Sequence, residues 1–374
     1  MLAGCILLAG AVFSGCGGST STASGPMPSA SATPTSSPQP SPTPSNVPIG
    51  QITEFSIPTN NSGPRGIASG PDGGLWFTES NVDKIGQLTI SGQFTEYPIP
   101  KHGQILPAMP GAISSAPVGG LWFTELGRDR IARLAGGGGF EEYPKLSPPQ
   151  TQPQGIAPGS DGAIWFTTAG PYPSSAIGRV DILGHFTQYN LPANRFPGAI
   201  TGGSDGALWF VETTGVGSGT YTTGIGRITT AGQFSETAGG GSLTPQGIAP
   251  GPDGALWFGD GAHIGRSTTA KQVTLFAIPS NPAASVSAIA NGPDGALWFT
   301  DLSNKIGRIT PTGQVTEYTI PTADSMPLGI TAGSDGALWF TENAAGRIGR
   351  ITTGLTPFRA SSNRPRTQLH TQRH

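Results

Sequence analysis

The chain has 374 residues, with 20 Lys and Arg set against 22 Asp and Glu, and only 11% of it is charged. A net charge of −2 without a basic stripe argues against a nucleic-acid partner. With 58 Gly and 36 Pro the composition approaches that of low-complexity chains, but most of these residues fall in recurring turns or in one N-terminal stretch.

The first element is the apolar run from Leu2 to Phe13, followed by Ser14-Gly15-Cys16-Gly17. It is too short for a permanent membrane span and reads as an export signal over residues 1–16. Small residues before a Cys fit a bacterial lipoprotein cleavage box, which makes Cys16 the expected lipidated N-terminus. Phe13 stands where Leu is usual and no Lys or Arg precedes the run, so plain secretion is the alternative. Cys5 falls inside the signal, which leaves no disulfide for the folded domain. Residues 17–49 are rich in Ser, Thr and Pro and read as an extended spacer. The expected location is the bacterial cell envelope, with the membrane reached only through the anchor.

Residues 50–356 carry an internal repeat. A Trp-Phe doublet recurs at Trp76, Trp122, Trp165, Trp209, Trp257, Trp298 and Trp339, with gaps of 46, 43, 44, 48, 41 and 41 residues. That period with strand-like content is the signature of β-propeller blades. One unit reads as four short strands, with Gly292-Pro293-Asp294-Gly295 and Pro311-Thr312-Gly313 as turns. Gln51 to Pro58 matches the fourth strand at Gln93 to Pro100, while the last unit lacks a fourth strand of its own. The N-terminal strand therefore completes the last blade and removes two exposed edges. The expected fold is all-β: a seven-bladed β-propeller of four-stranded antiparallel blades, closed by the N-terminal strand. Residues 357–374, with Arg359, Arg364, Arg366 and Arg373, read as a disordered basic tail.

A residue present in every blade serves the blade, and what varies between blades is the candidate site. Asp72, Asp161, Asp205, Asp253, Asp294 and Asp335 precede a turn Gly, with Val118 in that place in the second unit; they read as turn residues. Glu79, Glu125, Thr168, Glu212, Asp260, Asp301 and Glu342 end the second strands on one face. They form either a ladder with the recurrent Arg133, Arg179, Arg227, Arg266, Arg308 and Arg350, or an acidic ring around an axial metal. Ring sites so far from the axis would lie too far apart to share one ion.

Arg65, Gly111, Gln154, Gly198, Gln246, Ser287 and Leu328 open the innermost strands, nearest the axis on that face. They contain no His, Cys or acid, a poor set for acid–base chemistry and a workable one for hydrogen bonding. Longer loops at Lys101 to Pro110, Thr168 to Ser175 and Thr213 to Thr223 add Tyr172 and Tyr221. Of five His, His370 and His374 lie in the tail and His185 in a turn on the opposite face, while His102 and His263 are on the loop-rich face. No His pair has metal-ligand spacing, and no nucleophile elbow or phosphate loop is present.

The unit Gly-Pro-Asp-Gly-Ala-Leu-Trp-Phe-Thr-Asp, then Lys-Ile-Gly-Arg-Ile-Thr and Gly-Gln-Val-Thr-Glu-Tyr, resembles the virginiamycin B (streptogramin) lyase family from about Gln51 to Thr352. The resemblance implies a seven-bladed propeller and, in the characterised members, a Mg-dependent lyase that opens a cyclic depsipeptide by elimination across its ester. It places two catalytic His at the openings of the last two inner strands, where this chain has Ser287 and Leu328. A Glu of the site falls on Met326, and a further Glu on Glu342.

The expectation is an exported binding or interaction module, monomeric and without a cofactor. Its pocket floor is Arg65, Gln154, Gln246 and Ser287, and its partner is a small molecule or a cell-envelope component. The alternative is a Mg-dependent lyase of the same carbon–oxygen type using relocated residues: His263, Asp260 and Glu342. A surface scaffold without a small ligand is the third reading.

Overall fold

The structure is a computed structural model that describes residues 47–116, 119–143, 146, 151–170, 175–215, 221–237, 245–279 and 284–355. The signal, the spacer up to residue 46 and the tail lie outside these, as do Cys16, Tyr172 and Val118.

The described residues form 28 strands in seven four-stranded antiparallel sheets. In each of six blades the strands follow one another in sequence from the axis outward. The seventh has inner strands Pro327–Ala332, Leu338–Glu342 and Arg347–Ile351, and its outer strand is Ile52–Ser56 from the other end of the chain. Ile52 pairs with Ile351 and Ser56 with Arg347, so the ring is closed as the repeat phase predicts. One expectation is corrected. Thr213 to Thr223 is not a free loop, because the strands Leu208–Gly215 and Tyr221–Ile228 continue the hairpin, pairing Thr213 with Thr223 and Gly215 with Tyr221.

The core lies between blades rather than within them. Trp257 packs with Leu297, Phe299 and Ile309 of the following blade, and Trp165 likewise with Leu208, Phe210 and Ile228. Every second strand is buried along its whole Leu-Trp-Phe length or its Ile-Trp-Phe equivalent, which is why these strands read as continuous apolar runs instead of alternating ones.

The turn Asp, the Trp and the third-strand Arg form a clamp at the opposite end from the loop-rich face. In six blades the indole Nε1 donates to Asp Oδ1 at 3.0 Å. In five of them the Arg Nε donates to Oδ2 at 2.6–2.7 Å. The expected ladder between the recurrent Arg and the second-strand acids is therefore not formed. The register sets Arg308 opposite Trp298 and Lys305 opposite Asp301, so the Arg reaches the turn Asp instead.

The inner strands approach one another so closely that a Cβ on Gly66 would lie 2.7 Å from the Gly111 carbonyl oxygen, and one on Gly329 2.6 Å from that of Arg65. These positions need Gly for the close approach of two backbones.

Candidate functional site

Each inner strand carries a β-bulge at its opening. Pro64 faces Glu79 and Ile67 faces Phe77, so Arg65 and Gly66 together oppose only Thr78. The same shift occurs at Pro153/Ile156, Pro245/Ile248 and Pro327/Ile330, and in shorter form at Val286/Ala288, where Ser287 is the extra residue. A bulge bends its strand and re-aims the unpaired side chain. Here it brings all seven strand-opening residues to one cavity.

That cavity measures about 410 Å³ and is lined by Arg65, Gly111, Gln154, Gly198, Gln246, Ser287 and Leu328. Sequence reasoning missed its second group, Leu126, Phe196, Glu212 and Thr213, which come from the lengthened fourth blade and the short helical turn Leu126–Arg128. The available signal was Phe196, an aromatic residue just before the strand-opening Pro of that blade.

Charge in the cavity is sparse. Arg65 is exposed, and its guanidinium makes no hydrogen bond or ion pair among the described residues. Glu212 is buried; its Oε1 accepts from Arg195 at 2.9 Å, while Oε2 has no hydrogen-bond partner. Burial pushes the Glu212 carboxyl up against the pull of Arg195. Gln154 donates weakly to the Gln152 carbonyl at 3.4 Å, which leaves most of its amide available.

The three candidates for relocated chemistry are not brought together. His263 pairs in register with Asp260 in the fifth blade, Glu342 sits in the seventh, and none of the three lines the cavity. Glu342 is fully buried opposite Pro327, behind the inner strand. Burial first, then the neighbouring charge of Glu54, pushes its carboxyl up to about 8, although Arg347 opposes this. Glu79 rises to about 8 through burial and Glu96, and Glu125 to about 7 through burial despite Arg128 at 3.7 Å. The third-strand bases pair instead with outer-strand acids: Lys84 with Glu96 at 3.2 Å, Arg130 with Glu142 at 2.7 Å and Arg347 with Glu54 at 3.3 Å.

A Mg²⁺ ion takes oxygen ligands in near-octahedral array and is usually held by carboxylates. Among the described residues no three His, Cys, Asp or Glu are grouped to hold a metal ion, and the one carboxylate lining the cavity is tied to Arg195. This donor set does not fit the Mg²⁺ ion that the sequence resemblance implies.

A closed ring of seven four-stranded blades with a polar axial cavity at one end defines a β-propeller whose site is built from the strand openings. The chain belongs to the virginiamycin B lyase family, whose profile matches residues 46–109, 106–223 and 218–360. A solved streptogramin B lyase is 37% identical with a TM-score of 0.72, covering 81% of this chain and 97% of that one. The virginiamycin B lyase of Staphylococcus aureus is 35% identical with a TM-score of 0.71, covering 81% and 99%. The curated virginiamycin B lyase of Bordetella pertussis aligns at 38% identity over 50 residues, 13% of this chain and 17% of that protein.

Proposed function

We propose that this chain is an exported ligand-binding propeller that uses its axial cavity to hold a small polar molecule or a segment of a cell-envelope partner. The observation that carries this reading is the bulge set itself. Arg65, Gln154, Gln246 and Ser287 supply hydrogen-bond donors and acceptors around one cavity, and the positions where the family resemblance puts two His hold Ser287 and Leu328. A cavity of about 410 Å³ with a few convergent polar groups is of the size and kind that bind small ligands. Elimination needs a base within reach of the substrate proton, and Glu212, the one acid lining the cavity among the described residues, is held by Arg195. Lipidation at Cys16 and the spacer at residues 17–49 would hold the propeller away from a membrane surface, as a monomer.

The test is chromatography with mass spectrometry of a streptogramin B antibiotic incubated with the protein, with Mg²⁺ or with EDTA. The eliminated product is an isomer of the substrate, so the linear form must be separated before detection. Unchanged antibiotic, together with thermal stabilisation by a bound ligand, supports the binding reading. Mg-dependent linearisation would overturn it and favour the lyase alternative.

A further inference from the structure

Six blades cover the face of their own Trp with their own Arg. The Cζ atoms of Arg133, Arg179, Arg227, Arg266, Arg308 and Arg350 lie 5.6–6.0 Å from the indole centroids. In five of these the same guanidinium bonds the turn Asp. The pair of a turn Asp and a Trp is thus a guanidinium seat, a planar cation stacked on an indole and anchored to a carboxylate.

The first blade keeps the Asp–Trp pair and lacks the guanidinium. Trp76 and Asp72 are in place, with Nε1 donating to Oδ1 at 3.0 Å, but Gln87 stands where the other blades have Arg. Its amide donates to Asp72 Oδ2 at 2.5 Å and accepts from the Tyr97 hydroxyl at 3.2 Å. A neutral amide leaves the Asp72 carboxylate without an ion pair among the described residues. Trp76 is 9% exposed, whereas Trp165, Trp209, Trp257, Trp298 and Trp339 are each 0%.

A cavity of about 340 Å³ opens at this place, between the first and second blades. Its floor is Trp76, Tyr97 and Asp72, and its far wall is Leu121, Leu134 and the glycine turn 136–138. The glycine turn leaves open space: a Cβ on Gly136 or Gly137 would meet nothing within 4 Å. The slot combines two aromatic rings, apolar sides and one carboxylate that is hydrogen-bonded but has no ion pair among the described residues.

We infer that the slot between the first and second blades binds a guanidinium group, an arginine side chain that stacks on Trp76 and pairs with Asp72. An apolar ligand would bring the carboxylate no counter-charge. A primary ammonium would lack the planar stacking that the recurrent Arg of the other blades use. The arginine comes either from another polypeptide or from this chain's own Arg359, Arg364, Arg366 or Arg373. The second source has a short path. A Cβ on Gly336 would lie 3.8 Å from Leu355, the last described residue, and Ser334 on the same turn donates to the carbonyl of Gly73, next to Asp72, at 2.7 Å.

The experiment is a titration of the full-length protein with N-acetyl-arginine methylamide, read at the indole N–H resonance of Trp76, which Trp76→Phe identifies. A second protein carries all four tail Arg as Gln. The expected result is a saturable shift with Kd on the order of millimolar, and a shift on the order of tenfold weaker with the matched lysine compound. Gln87→Arg rebuilds the arrangement of the other blades, so it should fold, melt no lower than the parent and lose the binding. A shift seen only after the tail Arg are replaced supports the site with the tail as its arginine. Equal shifts in both proteins support an arginine from outside. No shift in either protein, or a shift that persists in Gln87→Arg, overturns the inference.

Discussion

The hydroxyl of Thr341 in the last blade donates to the backbone carbonyl of Arg65 in the first at 2.8 Å, and accepts from the Gly329 amide at 2.9 Å. The same relay runs from Thr78 to Gly111 at 2.8 Å, from Thr167 to Gly198 at 2.6 Å and from Thr300 to Leu328 at 2.7 Å. Each bond ties a second strand to the strand-opening residue of the next blade, so ring closure and cavity floor share the same hydrogen bonds. Val211 and Gly259 hold this position in the fourth and fifth blades, where no hydroxyl is available to Gln246 or Ser287.

Thr341→Val keeps the shape and removes the relay at the closing seam. Two backbone groups lose a partner, which is expected to destabilise the fold by about 1–3 kcal/mol. Calorimetry should show a melting temperature lower by several degrees. A melt indistinguishable from the parent would mean that this bond contributes nothing to closure.

Stability should fall as pH rises across neutrality. Glu79, Glu125 and Glu342 have an ordinary value of 4.5 and are pushed up to about 8, 7 and 8. A carboxyl whose pKa rises on folding binds its proton more tightly in the folded chain. Its contribution is therefore complete below about 4.5 and is lost as pH climbs through the folded value. On the acid side, Asp161, Asp205 and Asp253 act oppositely: burial raises them, but hydrogen bonds from Trp and Arg outweigh it and hold them below 3.8. Their contribution is lost as pH falls through those lowered values. Thermal melts should accordingly show a maximum near pH 5 and a decline towards pH 9. Glu342→Gln, which cannot ionise, should flatten part of that decline; an unchanged slope would mean that Glu342 does not carry it.

The second blade lacks the turn Asp, and its Trp122 Nε1 is buried without a hydrogen-bond partner. Arg133, with no Asp to reach, donates to the Gly119 carbonyl and pairs with Glu141 at 3.3 Å. Val118→Asp puts at this sequence position the acid to which the indoles of the other six blades donate. A gain of about 1 kcal/mol is expected for a hydrogen bond to the Trp122 indole, seen as a melting temperature higher by roughly 2–4 °C. The reverse change, Asp294→Val, removes the clamp that Trp298 and Arg308 share and should lower it by at least as much. Opposite signs in the two melts are the diagnostic result.

Blade number, strand order and ring closure were legible because each repeats: seven Trp-Phe doublets and one displaced fourth strand suffice. The cavity floor was legible for a related reason, since strand-opening residues sit nearest the axis wherever the blade pattern is known. Arg65, Gln154, Gln246 and Ser287 line it together. What was not legible arose from departures within single blades. Glu212 and Phe196 enter the cavity because one hairpin is longer, and a hairpin's length is set by pairing that the period does not encode. The partner of each Arg was misread for lack of register, which a one-residue difference decides. Glu212 and Glu342 both follow their Trp by three residues, yet one lines the cavity and the other is sealed behind Pro327.

The family resemblance puts two His where this chain has Ser287 and Leu328, and both residues line the cavity from their bulges. Replacing them by His, together with Met326→Glu, would place two imidazoles and a carboxyl at the strand openings of the last two blades. Met326 is 46% exposed, so a Glu there is not forced into a packed core. Its backbone has φ 55°, a region any β-carbon residue enters at some cost, and that cost is already present with Met. The triple variant is expected to melt near the parent and to linearise a streptogramin B antibiotic in the presence of Mg²⁺, while the parent leaves it intact. Activity should rise above pH 8 if Glu342, with its raised pKa, must also ionise. A folded but inert triple variant would locate the barrier in the shape of the cavity, where Phe196 and Thr213 of the lengthened blade stand at its wall. Combining the variant with Phe196→Ala would then separate access from chemistry, since only a steric block is relieved by that change.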